Sequence, residues 1–387
     1  MSHRDTPKAH RRCSRCVMDT TDPDIVFDAD GVCDHCHSYD ATVSTLVCDA
    51  DESRRRLDSI VDRIVKSGKG KAYDCIIGVS GGVDSTFLAY KVKELGLRPL
   101  AVHMDNGWDS EIAVKNIEVA LRRLRIDLHT QVLDWEEFRD LQVAFLRSST
   151  PDSEIPSDHA IVAVLSQTAE KVGVKFIISG FNQRTESHLP PAWSQGHFDW
   201  RYIRSVHKRF GTRRLRTFPH LGYWKARRYL HSGIRVDLLN YLDYRKSDAI
   251  PILERELNWK NYGGKHGESI YTRFYQGYIL PRKFGFDKRK THLSSLICAG
   301  EITRAEALCE LARESYDAKQ QRADLDYAVK KLGLTHEEFA QIMRAPPRSF
   351  WDFPSYSRLT RNESYRRVRK VYRGLVPAKS PQPHAAQ

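Results

Sequence analysis

The chain has 387 residues, of which 41% are hydrophobic, 29% charged and 10% aromatic, the proportions of a globular chain long enough for two or three domains. Those proportions exclude collagen, coiled coil or disorder as a description of the whole. Lys and Arg number 62 against 49 Asp and Glu, a formal +13, which favours an anionic partner without choosing among nucleic acid, phosphorylated small molecules and acidic protein surfaces.

Residues 1–50 are rich in Cys, Asp and His and have little periodicity, which suits a small metal-stapled module. The first residues are charged and carry no apolar signal segment, so a cytoplasmic location is the expectation. No apolar run approaches the roughly 20 residues of a membrane span. Residues 51–67 read as a linking helix. From residue 73 short apolar runs alternate with amphipathic stretches, the sequence form of a parallel sheet covered by helices. Strands are predicted over 73–79, 99–104, 126–133 and 174–179. Leu88, Val92 and Leu95 form one helical stripe, and Ala113, Ile117, Ala120, Leu121 and Leu124 form another. Further helices are predicted over 135–147 and 158–172, the second capped by Ser157 or Asp158. The expected fold is α/β, an open, doubly wound parallel sheet.

Beyond Gly180 the strand signal fades. Helical patterns return over 271–280, 303–316, 324–332 and 337–343, so the C-terminal region is expected to be mostly helical. The organisation predicted is a zinc-ribbon module over 1–50, a nucleotide-binding domain over 51–200, a helical substrate or partner region over 201–377, and a disordered tail over 378–387. Ten basic residues and no acid occupy 201–231, and eight basic residues with one acid occupy 358–379.

The predicted strand at 73–79 runs into Ser80-Gly-Gly-Val-Asp-Ser-Thr86 and then into a helix. Two glycines let backbone N–H groups approach a ligand, hydroxyls flank them, and the helix N-terminus adds its positive dipole end. Together they make a nest for an oxyanion. Neither a Walker A sequence nor a G-x-G-x-x-G dinucleotide motif is present. Asp105, at the end of the second strand, is a candidate ribose or adenine contact or a turn residue. Gly180 opens a polar loop at another strand end, in which Glu186 is a candidate to orient a nucleophile or take its proton, or else a solvated carboxylate.

Cys13-x-x-Cys16 and Cys33-x-x-Cys36, sixteen residues apart, have the spacing of a four-cysteine zinc ribbon, a closed and therefore structural site. His35 and His37 adjoin the second pair as possible substitutes. Cys48, Cys75, Cys298 and Cys309 read as buried packing. No cysteine occupies a nucleophile elbow and residue 2 is Ser, so the chain carries no recognisable glutaminase of its own.

The loop at 80–86 resembles the PP-loop, Ser-Gly-Gly-x-Asp-Ser, of the ATP pyrophosphatases, which cleave ATP between the α and β phosphates. That resemblance implies that Ser80, Gly81, Gly82, Val83, Ser85 and Thr86 hold the pyrophosphate and that Asp84 helps bind Mg²⁺. The block from Trp259 to Ser269, the stretches 280–289 and 292–297, and the shorter motifs at 16–25, 106–108, 155–159 and 300–304 resemble the N-acetyl sugar amidotransferases of lipopolysaccharide biosynthesis. This second resemblance spans residues 13–345 and implies conversion of a sugar-linked acetamido group to acetamidino through adenylation of the amide oxygen. It further implies ammonia from a glutaminase subunit with a cyclase-like channelling partner. Lys265, Lys283, Lys288 and Arg289 lie in the distinctive blocks as candidates to meet pyrophosphate or a nucleotide-sugar, or as solvated charges; Lys283 is also a catalytic candidate. A tRNA-modifying PP-loop enzyme is the alternative, favoured by the ribbon and the basic clusters and weakened by the lack of a further C-x-x-C within the core.

Overall fold

A strand covered on both faces must be apolar at successive positions, and Cys75, Ile76 and Ile77 are all buried. They form β1 (Cys75–Gly78), flanked by β2 (Pro99–Asp105) and β4 (Phe176–Ser179), with β3 (Asp127–Val132) and β5 (Arg235–Asp237) at the edges. In the computed structural model, which describes residues 9–46, 50–261, 267–314 and 316–361, the order is β3-β2-β1-β4-β5 and every pairing is parallel.

Side chains alternate between two cores. Ile76, Leu100, Val102 and Ile177 pack with Phe138 and Leu141 of α5 (Trp135–Ser148) and Val164 of α6 (Ile155–Val172). Cys75, Ile77, Ala101 and Ile178 pack on the opposite face, against α2 (Ala50–Gly68), α3 (Val83–Glu94) and α4 (Glu111–Leu124), with helix Lys246–Leu257 alongside. The α1 helix (Asp34–Leu46) belongs to the cysteine-rich module. The sheet is therefore doubly wound, as the alternating texture predicts, and the chain changes winding direction between β1 and β4, where such sheets bind ligands.

Several elements differ from expectation. The fifth strand is only three residues long and is half-buried, too short for a periodic signal, yet it extends the sheet past the boundary expected near residue 200. The α6 helix starts at Ile155, with Pro156 in its first turn, where a missing N–H costs nothing; Ser157 and Asp158 are thus first-turn residues and not caps. The helix expected over 271–280 is α-helical only over Ile270–Phe274. It continues as a π-helical stretch over Tyr275–Phe284 that contains Pro281, which cannot supply an i→i−4 bond. The late region is otherwise helical, as expected. The tail over 378–387 lies outside the described residues. No described helix is long and apolar enough to cross a membrane.

The cysteine-rich module is joined to the late helices. Arg304 donates from Nε to the Cys16 carbonyl and from Nη2 to the Cys13 carbonyl, both at 3.0 Å. The Val17 N–H reaches Ser294 Oγ, and Lys290 pairs with buried Asp19 at 2.6 Å.

Part of the unpatterned basic stretch is fastened by two acids of α5. Glu137 accepts backbone bonds from Arg216, Thr217 and Phe218 at 2.8–3.2 Å. Asp140 accepts the N–H groups of Thr212 and Arg213 and faces His207 Nε2 at 2.9 Å. Burial opposes the charge of Asp140, but the bonds from Thr212 and Arg213 more than offset it, and its carboxyl stays below the usual range. Glu137→Ala leaves three backbone donors without their acceptor and should cost about 2–3 kcal/mol. Chemical denaturation of the variant tests this, and a wild-type midpoint would remove the assigned role.

Candidate active site

The turn from β1 into α3 sets the site. Gly81 has φ +76°, and a Cβ there would stand 2.4 Å from the Ala113 carbonyl of α4, so both its conformation and its surroundings require glycine. Gly82 is the N-cap of α3 with no side-chain cap, which leaves first-turn N–H groups for an anion. Three contacts brace the loop: Trp259 Nε1 donates to the Gly81 carbonyl at 2.8 Å, Asn116 Nδ2 reaches the same oxygen at 3.5 Å, and Asn116 Oδ1 accepts from the Lys260 N–H. Trp259 is almost fully buried. Within the loop, the Ser80 and Ser85 hydroxyls lie 3.2 Å apart.

A cleft of about 630 Å³ opens at the carboxyl ends of β1, β2 and β4, within the range of small-molecule sites. Ser80, Gly82, Val83, Asp84, Ser85, Gly180, Glu186 and Lys288 line it. Gly81 and Thr86 shape the turn from behind, Thr86 being buried in α3. Asp84 accepts a bond from the Tyr244 hydroxyl and lies 3.9 Å from Lys246 Nζ. One cleft-facing carboxylate beside a phosphate nest is a donor set that suits Mg²⁺, which commonly takes one or two carboxylates together with substrate phosphates.

Three sequence candidates lie elsewhere. Asp105 Oδ1 accepts from the Gly107 N–H at 2.7 Å in the turn after β2, and Asp105 is not among the residues that line the cleft. Lys283 is not at the cleft: its Nζ binds Ser149 Oγ and the carbonyls of Ile342 and Ala345, closing the end of helix His336–Arg344. Burial, with Arg348 nearby, pushes its pKa down to about 8. Arg289 is likewise engaged away from the cleft, by Asp287 and by the carbonyls of Glu310 and Arg313. Both basic side chains complete helix ends, a use that charge in a motif does not reveal. Lys265 lies outside the described residues.

Lys288 apart, the residues of the far wall of the cleft carry no signal in the sequence that marks them as a site. Asp158 Oδ2 lies 3.4 Å from His197 Nε2, which is 2.9 Å from Ser194 Oγ and 3.7 Å from Asp152. Glu154 is held by Gln276 Nε2 at 2.9 Å and by Lys288 Nζ at 3.8 Å. Burial works against the Lys288 charge, but Asp152, Glu154, Asp158 and Glu186 outweigh it and keep the ammonium protonated. The Asp158 carboxyl is pushed up to about 7 by desolvation, opposed by His197 and reinforced by Asp152 and Glu154; its side chain is 49% exposed, facing the cleft, so water in the open cleft tempers that shift. His197 is raised despite its burial, by Asp152 and Asp158. His159 anchors this wall. Its Nε2 accepts from the Leu221 N–H, so Nδ1 carries the proton and donates to the His197 carbonyl at 2.7 Å, and burial lowers its pKa to about 4.

The four ribbon sulfurs are all buried. Cys13–Cys36, Cys16–Cys33 and Cys33–Cys36 are separated by 4.0, 3.6 and 3.7 Å. Tetrahedral zinc with Zn–S of about 2.3 Å needs sulfur–sulfur edges of about 3.8 Å, so the set fits. His35 and His37 are paired with Asp22 and Asp28, each at 2.8 Å. Cys298, expected to be simple packing, instead has its Sγ 3.7 Å from Cys36.

Residues 268–372 match the family model described as LPS biosynthesis protein WbpG-like, C-terminal domain. This bears out the resemblance read from the late motifs. Among solved structures, the chain is similar to NMN synthetase from Francisella tularensis (18% identity, TM-score 0.27, 36% of this chain and 57% of that one). It is also similar to an NH3-dependent NAD synthetase from Campylobacter jejuni in complex with the nitrate ion (13% identity, TM-score 0.30, 74% of this chain and 98% of that one). Overlaps this slight carry nothing about activity. No curated protein matches the chain.

Two variants check the assignments. Trp259→Phe keeps an aromatic ring but leaves the Gly81 carbonyl without its main donor, and about 1 kcal/mol lost from loop preorganisation corresponds to roughly fivefold weaker binding of a polyphosphate probe such as pyrophosphate; calorimetric affinity equal to wild type would remove the bracing role. Cys13→Ser with Cys16→Ser should lose zinc by elemental analysis and melt at a lower temperature, whereas undiminished zinc would show that the ribbon is misassigned.

Proposed function

We propose that the chain is an ATP-dependent, AMP-forming amidotransferase that converts the acetamido group of a sugar or nucleotide-sugar to an acetamidino group. The observation that carries this reading is that one cleft is lined both by the glycine turn at the start of α3 and by Tyr271, Gln276 and Lys288, which belong to the segment that matches a lipopolysaccharide-biosynthesis family.

An amide carbon is a poor electrophile and its oxygen a poor leaving group. Attack of the amide oxygen on the α-phosphorus of ATP breaks the bond to the β-phosphate oxygen and releases pyrophosphate; ammonia then adds to the activated carbon, and AMP departs with the former amide oxygen. The Ser80 and Ser85 hydroxyls and the N-terminal N–H groups of α3 bind the polyphosphate. Asp84 would hold Mg²⁺, whose charge offsets that building on the leaving pyrophosphate. Lys246, beside Asp84, and Lys288, beside Glu154, bring positive charge to the cleft, the second towards the diphosphate of a nucleotide-sugar. Glu186 orients the incoming nitrogen. The pair Asp158 and His197 takes the proton that ammonia must lose as the amidine forms. Supply of ammonia by a separate glutaminase with a cyclase-like channelling partner rests on the family resemblance alone.

The experiment is mass spectrometry of full-length protein with ATP, Mg²⁺, ammonium and a panel of nucleotide-linked N-acetyl sugars. Formation of AMP together with an amide-to-amidine mass change is expected for one member of the panel. AMP formed only with bulk tRNA would overturn the reading in favour of an RNA-modifying enzyme. Because the Asp158 carboxyl is raised and acts as a base only when ionised, wild-type kcat should climb with pH over the range between the ordinary carboxylate value and about 7. Asp158→Asn should lose roughly 100-fold in kcat together with that limb of the profile, while an unchanged limb in the variant would remove the base assignment.

A further inference from the structure

The four-cysteine site does not account for all the metal-binding side chains around it. Cys36, His188 and Cys298 bring Sγ, a ring nitrogen and Sγ within 4.8 Å of one another. They come from three separate parts of the chain: the second ribbon knuckle, the loop that follows Glu186, and the last turn of helix Arg289–Cys298. Two of the separations are the edges of a tetrahedral coordination sphere. Cys36 Sγ to Cys298 Sγ is 3.7 Å, against about 3.8 Å for two thiolates on one zinc, and Cys298 Sγ to His188 Nε2 is 3.6 Å, against about 3.6 Å for a thiolate and an imidazole nitrogen.

The imidazole is also prepared for such a role. The Ser295 hydroxyl donates its proton to the Thr291 carbonyl at 3.0 Å, so towards His188 Nδ1, at 3.1 Å, it can only accept. Ser187 Oγ lies 2.8 Å from the same nitrogen. With Nδ1–H given to these two hydroxyl oxygens, the Nε2 lone pair is left to face Cys298. Hydrogen bonding of the non-ligating nitrogen, which fixes the tautomer and aims the ring, is the usual support for a metal-bound histidine. His188 and Ser295 are both fully buried, and a purely packing role would not require this orientation.

We propose that Cys36, Cys298 and His188 bind a second ion of the zinc type, with Cys36 as a thiolate bridge to the ion of the four-cysteine site. Mixed sulfur and nitrogen donors select a borderline-soft divalent ion over Mg²⁺ or Ca²⁺. Cys298 enters as thiolate, and its proton is released to solvent as the ion binds. Three protein ligands leave one position for water or another small donor. Such an ion clamps the ribbon to helix Arg289–Cys298, whose N-cap is Lys288, and to the chain two residues beyond Glu186. The proposal does not depend on which reaction the cleft performs.

The test titrates metal-free, reduced full-length protein with Co²⁺, following the thiolate-to-metal charge-transfer and d–d bands, with zinc content measured in parallel by elemental analysis. Wild type should saturate at two equivalents per chain. Cys298→Ser should saturate at one, and His188→Gln, which leaves every sulfur in place, should bind the second equivalent at least tenfold more weakly while retaining the first. Saturation of wild type at one equivalent would overturn the proposal and leave Cys298 as a thiol hydrogen-bonded to Cys36. Two equivalents retained at wild-type affinity in both variants would overturn it as well. If Cys298→Ser fails to fold, the His188→Gln titration decides alone.

Discussion

The site depends on one tight approach, that of Gly81 to α4. A backbone turn that exposes N–H groups to an anion must keep side chains out of the nest and must be held from behind, since the free N–H groups supply no stability of their own. Gly81 meets the first condition, because any Cβ would strike the Ala113 carbonyl. The indole of Trp259 and the amide of Asn116 meet the second by taking the outward carbonyl of Gly81. The phosphate turn is thus fixed by residues 35 and 178 positions away in sequence, and a nest preorganised in this way spends little of its binding energy on ordering itself.

The same economy of position explains how the late helices serve the cleft. Arg304, Ser294 and Lys290 weld the ribbon to helices Arg289–Cys298 and Arg304–Ala312, and the residue preceding the first of these helices is Lys288. The cysteine-rich module in the first forty residues is therefore linked to the position of an ammonium in the cleft through a short path. Tyr271 and Tyr275 add to the path by bonding Ser153 and Pro151 just before α6, whose first turn presents Asp158.

Four of the five strands, the phosphate turn and the cysteine tetrad were legible in the sequence because each is local: a buried parallel strand is continuously apolar, an anion nest needs adjacent glycines, and a zinc knuckle needs its ligands two residues apart. What was not legible is assembled from distant parts. Asp158 and His197 meet Lys288, which the sequence did offer as a candidate, from separate elements, and no spacing rule links the three. Lys283 and Arg289 were misleading for a related reason, since a charge inside a distinctive block can serve a helix end as readily as a phosphate. Strand β5 and helix Lys246–Leu257 come from a stretch without visible period, ordered in part by carboxylates on α5 that receive its backbone bonds.

The proposed reaction stands on adenylation of the substrate's amide oxygen in the cleft and its departure on AMP. It is tested most directly by supplying the accepted N-acetyl sugar with heavy oxygen in its acetamido group and weighing the AMP released. The label is expected in AMP and nowhere in pyrophosphate. Unlabelled AMP formed alongside the amidine would contradict it.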